Sequence, residues 1–264
     1  MRVQPHLRFT GRKAILFILA ILLIIWGFYH FTATSTRLKS AWNKVIYTSN
    51  NQVAVAVYSP KTRKIYTSTN VPNHKFHMAS TVKVSILAGL FVKQNGSLTN
   101  KQKKLAKKMI ESSDNYATNK LYKALGEKEG LQETFDRFGM TQSTAKQSWG
   151  LSTTTAKDQV KLLNNIFYTS NLLSDNAQKY IASLMAHIEK DQVWGVSTSS
   201  KKFALKNGWL EHSKDKWIIN SIGYVENDNK TSYTIAIYSD KNLSMQTGEE
   251  VLNQIARVTK PIMD

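Results

Sequence analysis

Ser80 and Lys83 stand three residues apart at the head of an apolar run, Val82-Lys83-Val84-Ser85-Ile86-Leu87-Ala88-Gly89-Leu90. On a helix this spacing puts hydroxyl and amine on one face, about one turn apart. A serine hydroxyl is a weak nucleophile until a neighbouring base takes its proton. A lysine can be that base when burial lowers its pKa, and the apolar run supplies the burial. A serine in the first turn also sits where helix N-terminal N–H groups can stabilise a developing oxyanion. The pattern Ser-x-x-Lys is common, and the chain carries it at Ser143, Ser199 and Ser213 as well. Those three copies lie in polar stretches, so Ser80 is the candidate.

Two further groups have short polar side chains in places that local propensity does not explain. Ser113-Asp114-Asn115 sits inside a continuous helical pattern that runs through Met109 and Ile110 and on to Ala117 and Leu121. Three such residues disfavour a helix interior. A second Ser-Asp-Asn at Ser174 reads as an ordinary helix N-cap. Lys206-Asn207-Gly208-Trp209 ends an apolar strand; its lysine could attract a carboxylate, and its glycine would let a ligand approach the backbone.

The elements that must position these groups are legible from periodicity. Gln52–Ser59 and Lys64–Thr69 read as a hairpin, and Lys201–Trp209, Lys216–Val225 and Ser232–Ser239 as three later strands. Between them, from Lys101 to about Met185, the pattern is mostly helical. Thr153-Thr154-Thr155 caps a helix that starts at Ala156 and has Asp158 in its first turn. Glu249–Val258 reads as a closing helix. The economical arrangement is α+β: one five-stranded antiparallel sheet with flanking helices, and an all-helical part inserted at about 97–190. The site would form where the two meet.

In this order, Ser-x-x-Lys, Ser-Asp-Asn and Lys-x-Gly resemble the motif set of the class A β-lactamases and penicillin-binding proteins. Phe76-His77-Met78-Ala79-Ser80-Thr81-Val82-Lys83 is similar to that superfamily's block around the nucleophile, and Ile110–Ala117 to its second block. The resemblance runs from about residue 45 to the C-terminus. It implies a β-lactamase/transpeptidase-like fold and a serine hydrolase working through an acyl-serine intermediate on β-lactams or peptidoglycan-like D,D-peptides. Under it Ser80 is the nucleophile, Lys83 a proton acceptor, and Ser113 a shuttle toward the leaving nitrogen. Asn115 holds substrate and lysine, Lys206 binds the substrate carboxylate, and the N–H groups of Ser80 and Trp209 form the oxyanion hole. The chain departs from the pattern in three places. No Asp or Glu lies between Gly139 and Lys157, where class A enzymes carry the glutamate that activates the deacylating water. The interval from Ser80 to Ser113 is short. Asn207 replaces a hydroxyl residue, which alters substrate hydrogen bonding beside Gly208. Slow deacylation is the expectation. No cofactor is implied.

The N-terminus sets the expected location. Residues 14–32 read as a transmembrane signal anchor, with Trp26 and Tyr29 at interfacial positions. The basic tail 1–13 is then cytoplasmic, 33–44 a stalk, and 45–264 an extracytoplasmic domain; the Thr/Ser/Asn-rich residues 34–50 read as a stalk or as a first helix. A cleavable signal peptide is the competing reading, although a cut after Ala33 would have bulky Phe31 two positions before it. Net charge is +18; four of the 36 basic residues precede the apolar stretch, leaving 32 against 18 acidic ones, or +14. Behind an anchor, the partners expected of such a surface are the membrane and anionic wall polymers. The alternative function is therefore a non-catalytic wall-binding protein on the same fold. The lysines are not striped with aromatics, so nucleic acid is not an expected partner. The densest run, Lys101 to Lys108, reads as a solvated helix face. The chain has no cysteine. His74 and His77 lack acidic or thiolate companions, so no metal site is expected.

Overall fold

The computed structural model describes residues 11–213 and 216–264, without the side chains of 11–13, 23–32 and 212. Helix α1 (Gly11–Ile46) leads into strands β1 (Gln52–Ser59), β2 (Lys64–Thr69) and the short β3 (Phe76–His77). Helices α2 (Val82–Lys93), α3 (Asn100–Glu111), α4 (Asn115–Leu125) and α5 (Glu127–Arg137) follow. Next come β4 (Thr153–Thr154), α6 (Ala156–Phe167) and α7 (Asp175–Ala186). The chain ends with β5 (Lys202–Ser213), β6 (Lys216–Glu226), β7 (Ser232–Asn242) and α8 (Met245–Met263). The five long strands form one antiparallel sheet in the order β2-β1-β7-β6-β5, so the first hairpin pairs with the last three strands as the sequence predicts.

The period-2 alternation of the strands divides the interior into two cores. Val53, Val55 and Val57 of β1, with Tyr233, Ile235 and Ile237 of β7, face α1 and α8. Ala56 and Tyr238 face the opposite way, into the core shared with the helical region. Helix α2 runs through that second core and is buried from Val82 to Phe91 on every side. A helix apolar all round belongs in an interior, and this one carries Lys83 there.

Residues 33–46, read as a stalk up to 44 or as part of a first helix, are the last turns of α1. Leu38, Trp42, Val45 and Ile46 are buried against the sheet and α8, and the Trp42 indole donates to Thr259 Oγ1 at 2.8 Å. The Thr/Ser/Asn-rich composition concealed an apolar residue at each helical return, which is enough for a packed face. Ahead of it, Ile15 to Leu19, Ile21 and Leu22 are exposed. No helix among the described residues is long and apolar enough to cross a membrane. Much of the expected span lies outside the described side chains, and most of the expected basic tail lies outside the described residues.

Trp42→Ala should lower stability in urea titration by about 3–5 kcal/mol, the usual cost of emptying a large core position. A loss below about 1 kcal/mol would put this helix outside the cooperative fold.

Candidate active site

Ser80 lies in a single 3₁₀ turn, Ala79–Thr81, that precedes α2. Ala79 is left-handed at φ 47°, a conformation that costs a non-glycine residue about 1–3 kcal/mol and persists only where its surroundings impose it. Here the surroundings do. Met78 N–H donates to Ser152 O at 2.8 Å, and His77 Nδ1 lies 3.0 Å from Leu151 O. The Asn220 amide donates to His77 O at 2.9 Å and to Met78 O at 3.2 Å. The Thr81 hydroxyl donates to Met78 O at 2.6 Å and lies 2.7 Å from the Tyr238 hydroxyl. The turn is thus held from β6, from β7 and from the segment leading into β4.

Lys83 is completely buried. Its Nζ donates to Ser113 O at 2.7 Å, to Ser113 Oγ at 3.0 Å and to Asn115 Oδ1 at 2.8 Å. All three acceptors come from the junction of α3 and α4. The sequence places Ser113-Asp114-Asn115 inside a continuous helical pattern, but the helix breaks there. Asp114 N–H returns to Lys108 O, Ser113 is left-handed at φ 55°, and the Asp114 carboxylate caps α4 by accepting from Ala117 N at 2.5 Å. The break turns the Ser113 carbonyl and hydroxyl toward one amine.

Lys206, Asn207 and Gly208 lie on β5, the edge strand, and are fully buried. Gly208 is needed for close approach: a Cβ there would stand 2.7 Å from Ser80 N and 2.8 Å from Thr81 N. Lys206 Nζ donates to Gln192 Oε1 at 3.1 Å. The Asn207 amide donates to the carbonyls of Gln192 and Trp194 at 2.8 and 3.2 Å, so it holds the neighbouring chain. The Trp209 ring, half-buried, packs edge-on against Trp194 at 6.2 Å. Gln192 and Asn220 escaped the sequence reading. Asn220 had a signal, a lone amide in a strand otherwise apolar enough to be buried on both faces. Gln192 lies in a loop and had none.

Burial dominates the electrostatics. It pushes Lys83 down from 10.5 to about 7, with the Asp114 charge pulling weakly the other way. Lys206 also falls to about 7, first through burial and then through repulsion by Lys83, against the pull of Asp191 and Glu189. Among the described residues neither amine has a carboxylate in contact. Asp158 offers none: it is buried, accepts from Gln142 N and Ser143 Oγ, and pairs with Lys161 at 2.8 Å. His77 lies in β3 with its Nδ1 against Leu151 O, and His74 meets Asp240 at 3.5 Å. Among the described residues no cluster of His, Asp or Glu could hold a metal ion.

The fold and motifs have relatives. A sequence profile described as the beta-lactamase enzyme family matches residues 93–262, which includes Ser113–Asn115 and Lys206–Gly208 and begins after Lys83. Among solved structures, a class A beta-lactamase from Bacteroides cellulosilyticus superposes with a TM-score of 0.76 at 14% identity, covering 87% of this chain and 98% of its own. A beta-lactamase from Chitinophaga pinensis gives 0.75 at 17% identity, covering 86% and 99%. PBP-A gives 0.71 at 17% identity, covering 86% and 95%. No curated protein matches the sequence.

The two depressed lysines make stability depend on pH. Between about 7 and 10.5 the unfolded chain binds more protons at these positions than the folded one, so stability rises with pH there. Tyr233 and Tyr238, held protonated by burial, oppose this as pH nears 10. Unfolding free energy should therefore climb from pH 7 to about 9, and Lys206→Met should flatten the climb. An identical slope in the variant would contradict the depressed amine.

Proposed function

The chain belongs to the beta-lactamase enzyme family and is a serine hydrolase, and we propose that it forms an acyl-enzyme on Ser80 with β-lactams or peptidoglycan-like D,D-peptides. The observation that carries this reading is the fully buried Lys83 amine, bonded at 2.7–3.0 Å to Ser113 and Asn115 with no carboxylate in contact. An amine depressed to about 7 is half neutral at physiological pH and so matched to accepting a proton there.

In the proposed sequence, Ser80 Oγ attacks the substrate carbonyl as its proton passes to Lys83. The proton then moves through Ser113 Oγ to the leaving nitrogen, and the carbonyl–nitrogen bond breaks. Backbone N–H groups of Ser80 and Trp209 receive the oxyanion; the close packing that Gly208 permits supports this. Asn115 keeps Lys83 aimed and faces the substrate. Lys206, with Asn207 and Gly208 beside it, receives the substrate carboxylate. That anion would supply the negative charge the buried amines lack.

Deacylation is the weak step in this reading. Residues 140–156 carry no Asp or Glu, and the next carboxylate along the chain, Asp158, is fully engaged. A positioned base is worth roughly 10²–10⁴-fold, so the acyl group should outlast that of an efficient β-lactamase. The domain is proposed to face outward, anchored through α1. Support comes from the exposed apolar side chains of Ile15 to Leu22 and from the basic residues ahead of them. The +14 surface suits an anionic membrane or wall polymer.

The acylation rate with penicillin should rise with pH through an inflection near 7 as Lys83 loses its proton. Lys83→Met should lose about 10²–10⁴-fold of that rate, and Ser80→Ala all labelling by a fluorescent penicillin. Unchanged labelling of Ser80→Ala would remove Ser80 as nucleophile. A folded domain that never labels but binds wall polymers in a salt-sensitive way would favour the non-catalytic alternative.

A further inference from the structure

Trp149 occupies the side of Lys83 that faces the loop. Its ring centroid lies 5.0 Å from Lys83 Nζ, and its indole N–H donates to Asn119 Oδ1 at 2.8 Å. Asn115 and Asn119 are four residues apart on α4, so they stand on one helix face. The first accepts from the amine and the second from the ring laid over it. At the next residue the backbone turns against the nucleophile: a Cβ on Gly150 would come within 3.9 Å of Ala79 Cα. Trp149–Leu151 forms a short 3₁₀ turn, and Leu151 O and Ser152 O receive the His77 ring and Met78 N–H. Ring, amine and nucleophile turn are therefore fixed to one another.

We propose that Trp149 is a positioning residue that seals Lys83 against water on the loop side and so lengthens the life of an acyl group on Ser80. The inference rests on the acyl-enzyme reading above. Hydrolysis joins a water oxygen to the acyl carbon, breaks the bond from that carbon to Ser80 Oγ, and returns a proton to Oγ. The attacking water must give a proton to a base. Lys83 is the amine beside that loop, and its three hydrogen bonds go to Ser113 and Asn115 at the α3–α4 junction. The indole lies over the same amine. The sealing ring also contributes to the burial that depresses Lys83, whose other charged neighbours are Asp114 and Lys206. Ring–ammonium attraction works in the opposite direction, so the sign of the change in the Lys83 inflection on removing the ring shows which effect prevails.

The test compares native protein with Trp149→Ala, Trp149→Phe and Asn119→Ala. Two quantities are read: the lifetime of the penicillin adduct by mass spectrometry, and the titration of the Lys83 side chain by NMR of ¹³Cε-labelled lysine, assigned with Lys83→Met. Trp149→Ala should shorten the adduct lifetime about tenfold and raise the Lys83 inflection by about one unit. Trp149→Phe should keep both near native, and Asn119→Ala should move both in the same direction by less. A general loosening of the loop would lower thermal stability without a directed rise in the Lys83 inflection. If Trp149→Ala leaves inflection and lifetime unchanged, the proposal is overturned. If no protein labels, native included, the acyl-enzyme reading fails, and the Lys83 titration alone then decides whether Trp149 seals the amine.

Discussion

A single primary amine, taken wholly out of water and given three oxygen acceptors but no counter-ion, organises this molecule. Isolating a full ammonium in such a place is costly, and lowering its pKa is the ordinary response. Everything around Lys83 follows from that constraint. Helix α2 must be apolar on all faces to carry the amine inward. The α3–α4 connection must break so that Ser113 can turn both of its oxygens toward Nζ. The Ser113 backbone is left-handed to make that turn, and the capping bond of Asp114 holds it there. Local strain at Ala79 and Ser113 is thus matched by bonds that come from other elements. This is the pattern expected where geometry serves chemistry rather than stability.

The sheet contributes an edge. β5 is its last strand, and at Gly208 the absence of a side chain brings the strand backbone against the Ser80 turn. Behind the turn, Asn220 of β6 and Tyr238 of β7 reach through the sheet to hold the carbonyl of Met78 and the hydroxyl of Thr81. Ser80, Lys83 and Lys206 are therefore tied to one another, although they come from a 3₁₀ turn, helix α2 and a late strand. The first core, built on α1 and α8, stiffens the opposite face of the same sheet.

Much of this was legible from residue types and order. A valine-rich run in β1 and apolar runs rich in isoleucine and tyrosine in β6 and β7 marked the strands, and three short motifs marked Lys83, Ser113, Asn115 and Lys206, which the fold does bring together. Three features were not. The polar composition of residues 33–46 hid the helical recurrence of Leu38, Trp42, Val45 and Ile46, because composition averages over the one face that matters. The Ser113 break was hidden by strong helical periodicity on both sides of it; the deciding bonds, from Lys83 across the fold, are non-local. Trp149 did not stand out at all, lying in a loop marked only by its lack of an acid. Its meaning depends on Asn119 one turn along from Asn115, a relation visible only once α4 is in place.

The account stands or falls on where a penicillin goes and how long it stays. The protein should be incubated with penicillin G, digested at intervals, and the acylated peptide mapped by mass spectrometry. The account predicts one acyl group, on Ser80, still present long after free drug has been removed. An adduct on another residue would contradict the placement of the nucleophile. Rapid consumption of drug with no lasting adduct would contradict a site without a deacylating base.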